Sequence, residues 1–271
     1  MQHRIIFSDI DGTLLNPERE LSTFTISQIR RIKDSIPMVL ISSRMPSAMT
    51  HLQEELDITN QPIICYNGAL ILVDNTPISS TAIPLQVLEA LYHFNHDHKV
   101  HLSLYNTNDW YVPELDYWAK RESRNTKVNP LVKSTEEVIH EWKEQNKGAH
   151  KIMCMGDDRY IDNMYAFLDE KFGDTLHLYR SKSTYIEIAH KSVSKLTAIE
   201  LLLDTHFNIP ITKALAFGDN YNDIEMLKAV GTGVAVANAK IETKLVANAI
   251  TLSGKEDGVA LYIKNNIDLS C

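Results

Sequence analysis

The sequence predicts an α/β fold, in which a Rossmann-like, doubly wound parallel sheet forms a core that is interrupted by an inserted α+β cap domain. Short apolar runs alternate with helical periodicity over about the first 65 residues, and this alternation returns near residue 194. The segment between the two parts is richer in aromatic and histidine residues and mixes helical with strand-like patterns. The whole chain has 271 residues, which is enough for two domains of ordinary size.

The first part of the chain predicts three strands separated by two helices. The first helix is expected to begin near Ser22 or Thr23 and to continue through Ile36, where Pro37 stops it. The predicted elements are a strand at 5–7, a helix at about 23–36, a strand at 38–42, a helix at about 47–56 and a strand at 62–65. This order favours right-handed crossovers and a parallel sheet that is covered on both faces.

The middle of the chain predicts a separate domain. Residues 74–84 contain two prolines, and we expect linkers at about 75–84 and 187–193. Helical patterns occupy residues 85–94 and 161–172, whereas alternating patterns predict strands at 101–112 and 176–188. We therefore assign residues 1–82 and 188–271 to the catalytic core and residues 83–187 to the inserted cap.

The α/β pattern resumes after the insertion. A helix is predicted to start at Ser194 and Lys195, and a later helix is predicted to stop at Gly231. The remaining predicted elements are a strand at 214–217, a helix at 224–230, and strands at 233–236 and 249–252.

Composition excludes several classes of function. The net charge is −8, from 35 acidic and 27 basic residues, and no long run of one sign occurs. We therefore expect neither nucleic acid nor a membrane surface as a partner. Three widely spaced cysteines, Cys65, Cys154 and Cys271, indicate reduced thiols rather than a disulfide framework or a zinc site. With no apolar run near the ~18 residues of a membrane span, we expect a cytoplasmic protein.

Polar side chains cluster where the predicted strands end or a helix begins. These candidates are Asp9, Asp11, Ser42, Lys195, Asp219, Asn222 and Asp223. Such positions converge at the carboxyl edge of a parallel sheet, where ligands bind in open α/β folds. Oxygen ligands without paired histidine or cysteine suit Mg²⁺, and a lysine with a hydroxyl suits a phosphoryl group. Asp9 and Asp11 alone are equally compatible with a polar strand end followed by a turn.

A carboxylate in such a site can act as a nucleophile and form an aspartyl-phosphate. Asp11 lies two residues after Asp9 and returns to the same side of an extended chain. From there it could protonate the leaving oxygen and later deprotonate the attacking water.

With these motifs, the chain resembles the haloacid dehalogenase superfamily of phosphatases, and within it the Cof-type subfamily, over its whole length. The matching segments are Asp9-Ile10-Asp11-Gly12-Thr13-Leu14, Ser42, Lys195 and Gly218-Asp219-Asn220-Tyr221-Asn222-Asp223. The resemblance implies that Asp9 is the nucleophile and Asp11 the acid/base. It also implies a metal site formed by Asp9, the Asp11 carbonyl and Asp219, which Asp223 supports.

The implied phosphate-binding residues are Ile10, Gly12, Ser42, Ser43, Lys195 and Asn222, and Asn67-Gly68 matches a segment that often borders the pocket. Many relatives have Thr-Gly-Arg where this chain has Ser42-Ser43-Arg44. Ser42 keeps the hydroxyl, but the side chain of Ser43 makes a close backbone approach to phosphate less certain. Arg44 could contact the substrate, but the expected contact is an ion pair within the core.

The predicted activity is Mg²⁺-dependent hydrolysis of a small phosphorylated metabolite by a monomer or weak homodimer. A phosphomutase could use the same aspartyl-phosphate, although mutases of this superfamily have a more interrupted acidic motif. A phospho-acceptor signalling domain would also place Asp, Ser and Lys at strand ends, but it needs neither Asp11 nor a large insertion. A binding protein that has lost catalysis is disfavoured by the intact motifs.

Two other groups are predicted to be structural. His93, His96, His98 and His101 lack the spacing of metal ligands on a helix or a strand. Trp110, Trp118 and Trp142 are expected to pack within the inserted domain.

Overall fold

The apolar runs of the first part form buried strands in the computed structural model, which describes residues 3–269 (Ser181 by its backbone alone). In chain order these elements are β1 (Ile5–Ser8), α1 (Thr23–Ile32), β2 (Met38–Ile41), α2 (Ser47–Leu56), β3 (Ile63–Cys65), β4 (Leu70–Val73) and β5 (Thr76–Ser80). β1, β2 and β3 are buried along their whole length, as expected for a sheet that is covered on both faces.

The remaining elements follow two different patterns. The middle segment contains α3 (Leu85–Asn95), β6 (His101–Asn106), β7 (Asp109–Val112), α4 (Tyr117–Thr126), β8 (Leu131–Val132), α5 (Thr135–Glu144), β9 (Lys151–Met155), α6 (Asp158–Phe172), β10 (Leu176–Lys182) and β11 (Tyr185–His190). The last part contains α7 (Lys195–Leu202), β12 (Ala214–Gly218), α8 (Ile224–Ala229), β13 (Thr232–Val236), α9 (Ile241–Val246), β14 (Ala249–Thr251) and α10 (Gly258–Asn266).

The chain divides into two units. The first contains Met49–Ile78 together with the described residues before Met45 and after Val193, and the second contains Met45–Ala48 and Ser79–Val193.

The first unit is built on an eight-stranded sheet with the order β14-β13-β12-β1-β2-β3-β4-β5. The six strands from β14 to β3 pair in parallel, which confirms the predicted doubly wound core. From β1 the chain moves outward through β2 to β3, whereas from β12 it moves outward in the opposite direction. β1 and β12 are therefore neighbours at the topological switch point, and the site residues follow these strands.

The second unit is an α+β layer, also as predicted. Its sheet has the order β10-β11-β9-β6-β7-β8 and is antiparallel except between β7 and β8. Alternate side chains of these strands, such as Leu104 and Ile152, pack with residues of α3, α5 and α6 in one apolar cluster. Trp142 belongs to this cluster and Trp110 is also buried, in agreement with the expected packing role.

Several predicted boundaries are wrong for identifiable reasons. α1 ends at Ile32 rather than Ile36, and residues 33–35 form a turn before Pro37, which disfavours helical geometry at Ile36. The Ile36 N–H still donates to the Ile32 carbonyl at 2.9 Å within this turn. The supposed linker after residue 74 contains β5, an edge strand that tolerates Pro77. It also follows β4, which pairs antiparallel to β3, so the core sheet is not wholly parallel.

Two predicted single strands are hairpins. Residues 101–112 turn at Thr107, which adopts a left-handed φ of 52° without the glycine that would have signalled a turn. Residues 176–188 are divided between β10 and β11. The helices α4, α5, α9 and α10 were not predicted.

Candidate active site

Asp9 lies directly after β1 and is almost fully buried. Its backbone N–H donates to the carbonyl of Phe217 at 3.0 Å, which ties it to the neighbouring strand β12. The Oδ1 atom accepts a hydrogen bond from Nζ of Lys195 at 2.6 Å. Oδ2 is buried and has no hydrogen-bond donor among the described residues. The Lys195 bond fixes Oδ1 and with it the orientation of the whole carboxylate. Oδ2 accepts no hydrogen bond from the described residues.

Lys195 joins Asp9 to the loop after β12. Its side chain is fully buried, and Nζ also donates to Oδ1 of Asp223 at 2.6 Å. Lys195 is the first residue of α7, and Ser194 caps the N-terminus of this helix, which fixes the backbone position of the lysine. Burial alone would lower the pKa of Lys195, but the Asp223 and Asp9 carboxylates raise it above its ordinary value. The ammonium is thus held charged between two acids.

Asp223 has a supporting geometry rather than that of a free ligand. Its Oδ2 accepts the backbone N–H groups of Asp219 and Asn220 at 2.8 and 2.9 Å, while Oδ1 accepts from Lys195. Both oxygens therefore have donors. Asp223 thereby holds the backbone of the loop that carries Asp219.

The three carboxylates of Asp9, Asp219 and Asp223 can place one oxygen each within 4.8 Å of one another. Burial raises the pKa of Asp9 and of Asp219, and the mutual repulsion of the acids raises both further. Three acids face one ammonium, so the site has excess negative charge that a cation would neutralise. The all-oxygen donors and the unpartnered Oδ2 of Asp9 fit Mg²⁺.

Gly12 allows Asp219 to approach the loop after β1. Its φ of +89° lies in the left-handed region, and a Cβ atom there would overlap the Asp219 carboxylate. The neighbouring Thr13 hydroxyl donates to Oδ1 of Asp219 at 3.4 Å, and the Gly12 carbonyl accepts from Asn238 at 2.8 Å. Thr13 lies within the first motif but had no predicted role, and no local pattern marks Asn238, which only folding brings to this loop.

Asp11, in contrast to Asp9, is held by arginines. Arg44 contacts it through Nε at 2.7 Å and through Nη2 at 2.8 Å, one bond to each carboxylate oxygen. Arg19 adds a longer contact of 3.3 Å. The structure therefore shows the ion pair expected for Arg44, whereas no sequence signal marked Arg19.

The predicted phosphate-binding residues occupy neighbouring loops of the first unit. Ser42 is buried after β2, and its hydroxyl accepts the backbone N–H of Arg44 at 3.2 Å. Ser43 is half-buried and does not have a positive φ, so glycine is not required at this position. Ile10 is buried, and its carbonyl accepts from the Leu14 N–H at 2.9 Å.

Asn222 is linked to the turn after β3. Its Nδ2 atom donates to Oδ1 of Asn67 at 3.0 Å, and the Asn67 N–H donates to the Ser42 carbonyl at 2.9 Å. Tyr66, Asn67 and Gly68 all have positive φ values, so this turn is a strained segment next to the site. The loops after β2, β3 and β12 are thereby connected.

The histidine cluster forms no metal site among the residues that the structure places. His98 Nδ1 lies 2.9 Å from the Phe94 carbonyl, and His101 lies between Asp116 and Ser103, 2.9 Å from each. Both rings thus have hydrogen-bond partners within the second unit.

The first unit thus contains a carboxylate with an open oxygen, a buried ammonium and an acidic cluster. A phosphoryl group bears negative charge, and its transfer depends on positioning and on charge stabilisation. An oriented carboxylate can attack phosphorus, and a neighbouring acid can exchange protons with oxygen atoms. This set of groups suits phosphoryl transfer.

Comparisons with known proteins agree over nearly the full chain. A profile of the haloacid dehalogenase-like hydrolase family matches residues 6–263. A Haemophilus influenzae relative is 34% identical over 269 residues, which cover 97% of this chain and 98% of the relative. The 5-amino-6-(5-phospho-D-ribitylamino)uracil phosphatase of Bacillus subtilis is 28% identical over 275 residues, covering 98% of both chains.

One solved structure is similar throughout. The crystal structure of a haloacid dehalogenase-like hydrolase from Bacteroides thetaiotaomicron matches with a TM-score of 0.90 and 25% identity, and the match covers 98% of this chain and 100% of that chain.

Proposed function

Because this chain belongs to the haloacid dehalogenase-like hydrolases and is a phosphoric monoester hydrolase, we propose that it hydrolyses small phosphorylated metabolites through an aspartyl-phosphate on Asp9. The observation that supports this proposal is the Asp9 carboxylate, with Oδ1 held by Lys195 and Oδ2 buried without a donor. Such a carboxylate is fixed and incompletely solvated, which favours nucleophilic attack.

The proposed reaction has two balanced steps. An oxygen of Asp9 bonds to phosphorus as the ester P–O bond breaks, and the leaving oxygen takes the proton of Asp11. A water oxygen then bonds to phosphorus, Asp11 takes the water proton, and the bond between Asp9 and phosphorus breaks. Lys195 balances charge on Asp9 and Asp223 throughout.

Mg²⁺ is the proposed cofactor, held by Asp9, the Asp11 carbonyl and Asp219. When bound, it supplies positive charge to the phosphoryl oxygens. Asp223 fixes the loop of Asp219 through two backbone N–H groups. We place Ser42 and Asn222, with backbone groups of residues 10, 12 and 43, around the phosphoryl group.

The proposed substrate is a small phosphate ester. The Bacillus subtilis relative is named for a small phosphorylated ribityl compound, which supports a small ester rather than a macromolecule. No helix in the described part of the chain is long and apolar enough to span a membrane. We further propose that the enzyme acts in the cytoplasm as a monomer or weak homodimer.

The deciding experiment measures phosphate release from p-nitrophenyl phosphate and from a panel of phosphorylated metabolites, with Mg²⁺ and without a bisphosphate activator. We expect steady multiple turnover that stops in EDTA and returns with Mg²⁺. A single stoichiometric phosphorylation would indicate an acceptor domain, and dependence on a bisphosphate would indicate a mutase. Either result would reject the proposed hydrolysis.

A further inference from the structure

The contact between Asp11 and Arg44 has a geometry that the proposed reaction does not by itself require. The guanidinium of Arg44 meets the two oxygens of the carboxylate with two different nitrogens, at 2.7 and 2.8 Å. A two-point contact between planar groups fixes orientation as well as distance. The Asp11 carboxylate is therefore held in one direction.

Burial of the two partners differs strongly. The side chain of Arg44 is 5% exposed, whereas that of Asp11 is 36% exposed. Arg44 is also fixed by its backbone, because its N–H donates to the Ser42 hydroxyl and its carbonyl accepts from Tyr66 at 3.1 Å. The arginine is thus a rigid support, and the carboxylate that it holds remains accessible.

We propose that Arg44 is a positioning residue of the reaction, which holds the Asp11 carboxylate where it exchanges protons with the leaving oxygen and with water. The inference rests on the proposed function, since Asp11 must be the acid/base for its position to matter. Arg44 acts through Asp11 in this scheme and does not touch the substrate.

This role makes a quantitative prediction for Arg44→Gln, which removes the charge and the two-point contact. We expect kcat/KM for an alkyl phosphate to fall by roughly 10- to 100-fold, as for a misplaced catalytic group. The loss cannot exceed that of Asp11→Asn, which is expected to be about 10²- to 10⁴-fold. For p-nitrophenyl phosphate the loss should be clearly smaller, because its leaving group needs little protonation.

The decisive test is a double-mutant cycle of Arg44→Gln and Asp11→Asn, with kcat/KM measured for both esters. Once Asp11 is replaced, removing Arg44 should change activity by less than about twofold, because Arg44 has no acid/base left to position. A full additional loss in the Asp11→Asn background would show that Arg44 acts on the substrate and would overturn the inference.

Two further variants separate positioning from folding. Arg44→Lys retains the charge but not the planar two-point contact, and it should recover only part of the alkyl phosphate activity. Arg31→Gln removes another arginine, whose bonds are to the backbone carbonyls of Ile263 and Ile267, and it should leave the ratio between the two esters unchanged. A shift of this ratio in Arg31→Gln equal to that in Arg44→Gln would contradict the proposed role.

The outcomes distinguish this inference from the proposed function. If Asp11→Asn retains wild-type activity, the acid/base assignment itself fails. If Asp11→Asn loses activity and Arg44→Gln does not, only the positioning role of Arg44 fails.

Discussion

Asp9 and Asp11 are separated by one residue, yet the fold gives them opposite surroundings. Asp9 is buried beside Lys195, and one of its oxygens has no donor in the described part of the chain. Asp11 is partly exposed and paired with Arg44. Different environments give identical side chains different chemistry, so the proposed nucleophile and the proposed acid/base can lie two residues apart.

Replacing Asp9 by asparagine should abolish turnover, because an amide retains the shape of the carboxylate but is a poor nucleophile. We expect kcat to fall below a few per cent of the wild-type value, with circular dichroism unchanged. Steady-state kinetics with p-nitrophenyl phosphate would measure the loss. Retention of substantial kcat would exclude a covalent intermediate on Asp9.

Gly12→Ala should raise the Mg²⁺ concentration needed for activity. The new Cβ atom would displace the Asp219 carboxylate, and the φ of +89° would add backbone strain. The Mg²⁺ concentration for half-maximal activity is the measurement, and we expect an increase of at least tenfold, the cost of roughly 1.4 kcal/mol in metal binding.

Gly156→Ala is the matched control for this change. A Cβ atom at Gly156 would lie 3.6 Å or more from its neighbours, which is ordinary contact, and this position has no left-handed φ. Its Mg²⁺ requirement should equal that of the wild type. An unchanged requirement in Gly12→Ala as well would show that Gly12 does not control the position of Asp219.

At the level of elements, loops and turns connect residues that strands alone would not bring together. The turn after β3 is hydrogen-bonded to the loops after β2 and β12.

In the second unit, a histidine holds the hairpin turn at Thr107. The backbone N–H of Thr107 donates to Nδ1 of His150 at 3.0 Å, so Nε2 carries the ring hydrogen and donates to Ser80. His150 is thus neutral at this junction.

Burial lowers the pKa of His150 to about 4, and this shift predicts acid sensitivity. Above its unfolded pKa of about 6.5 the ring is neutral in both states, so the folded state is not disfavoured. As the pH falls from 6.5 towards 4, only the unfolded state takes up the proton, and stability is lost. Between pH 7 and pH 5 the loss should be about 2 kcal/mol.

His150→Gln should remove this part of the pH dependence, because glutamine does not titrate. Urea unfolding at pH 7 and at pH 5 would measure the two free energies of unfolding. His140→Gln is the control, since the His140 side chain is 75% exposed and its removal should leave the slope unchanged. Equal slopes in His150→Gln and the wild type would refute the assignment.

At the scale of the whole molecule, chemistry and selectivity are expected to reside in different units. The acidic cluster, Lys195 and Arg44 all belong to the first unit. In the proposed reaction these groups contact only the phosphoryl group, which all the esters share, so they are not expected to distinguish one ester from another. The second unit has its own sheet and its own apolar cluster, so it can vary without disturbing the catalytic groups.

Replacing Ser79–Val193 by a Gly/Ser linker of about ten residues should leave weak, Mg²⁺-dependent hydrolysis of p-nitrophenyl phosphate but no discrimination among metabolites. Both proteins would be compared on one metabolite panel, and circular dichroism would show that the shortened protein folds. A folded, shortened protein with an unchanged substrate ranking would place specificity in the first unit.

The sequence by itself determined the fold class, the family and the positions along the chain of the six parallel core strands. Apolar runs that end in polar clusters carry this information locally, since a parallel strand is buried along its length and its carboxyl end faces ligands. A change of composition also predicts an inserted domain over residues 83–187. Strand pairing at β4 and β5 and the turn at Thr107 were not predicted, because neither has a distinctive local pattern.

Only the tertiary structure decided which side chains of the site are hydrogen-bonded to one another. Lys195 is 186 residues from Asp9 in sequence, and the contact between them depends on the packing of α7 against α8 and the turn after β3. Asp223 accepts local backbone N–H groups at Oδ2, but its Oδ1 is occupied by the distant Lys195, whereas Asp9 keeps one oxygen without a donor among the described residues. Local patterns specify elements, but charge, burial and hydrogen-bond partners are properties of the packed chain.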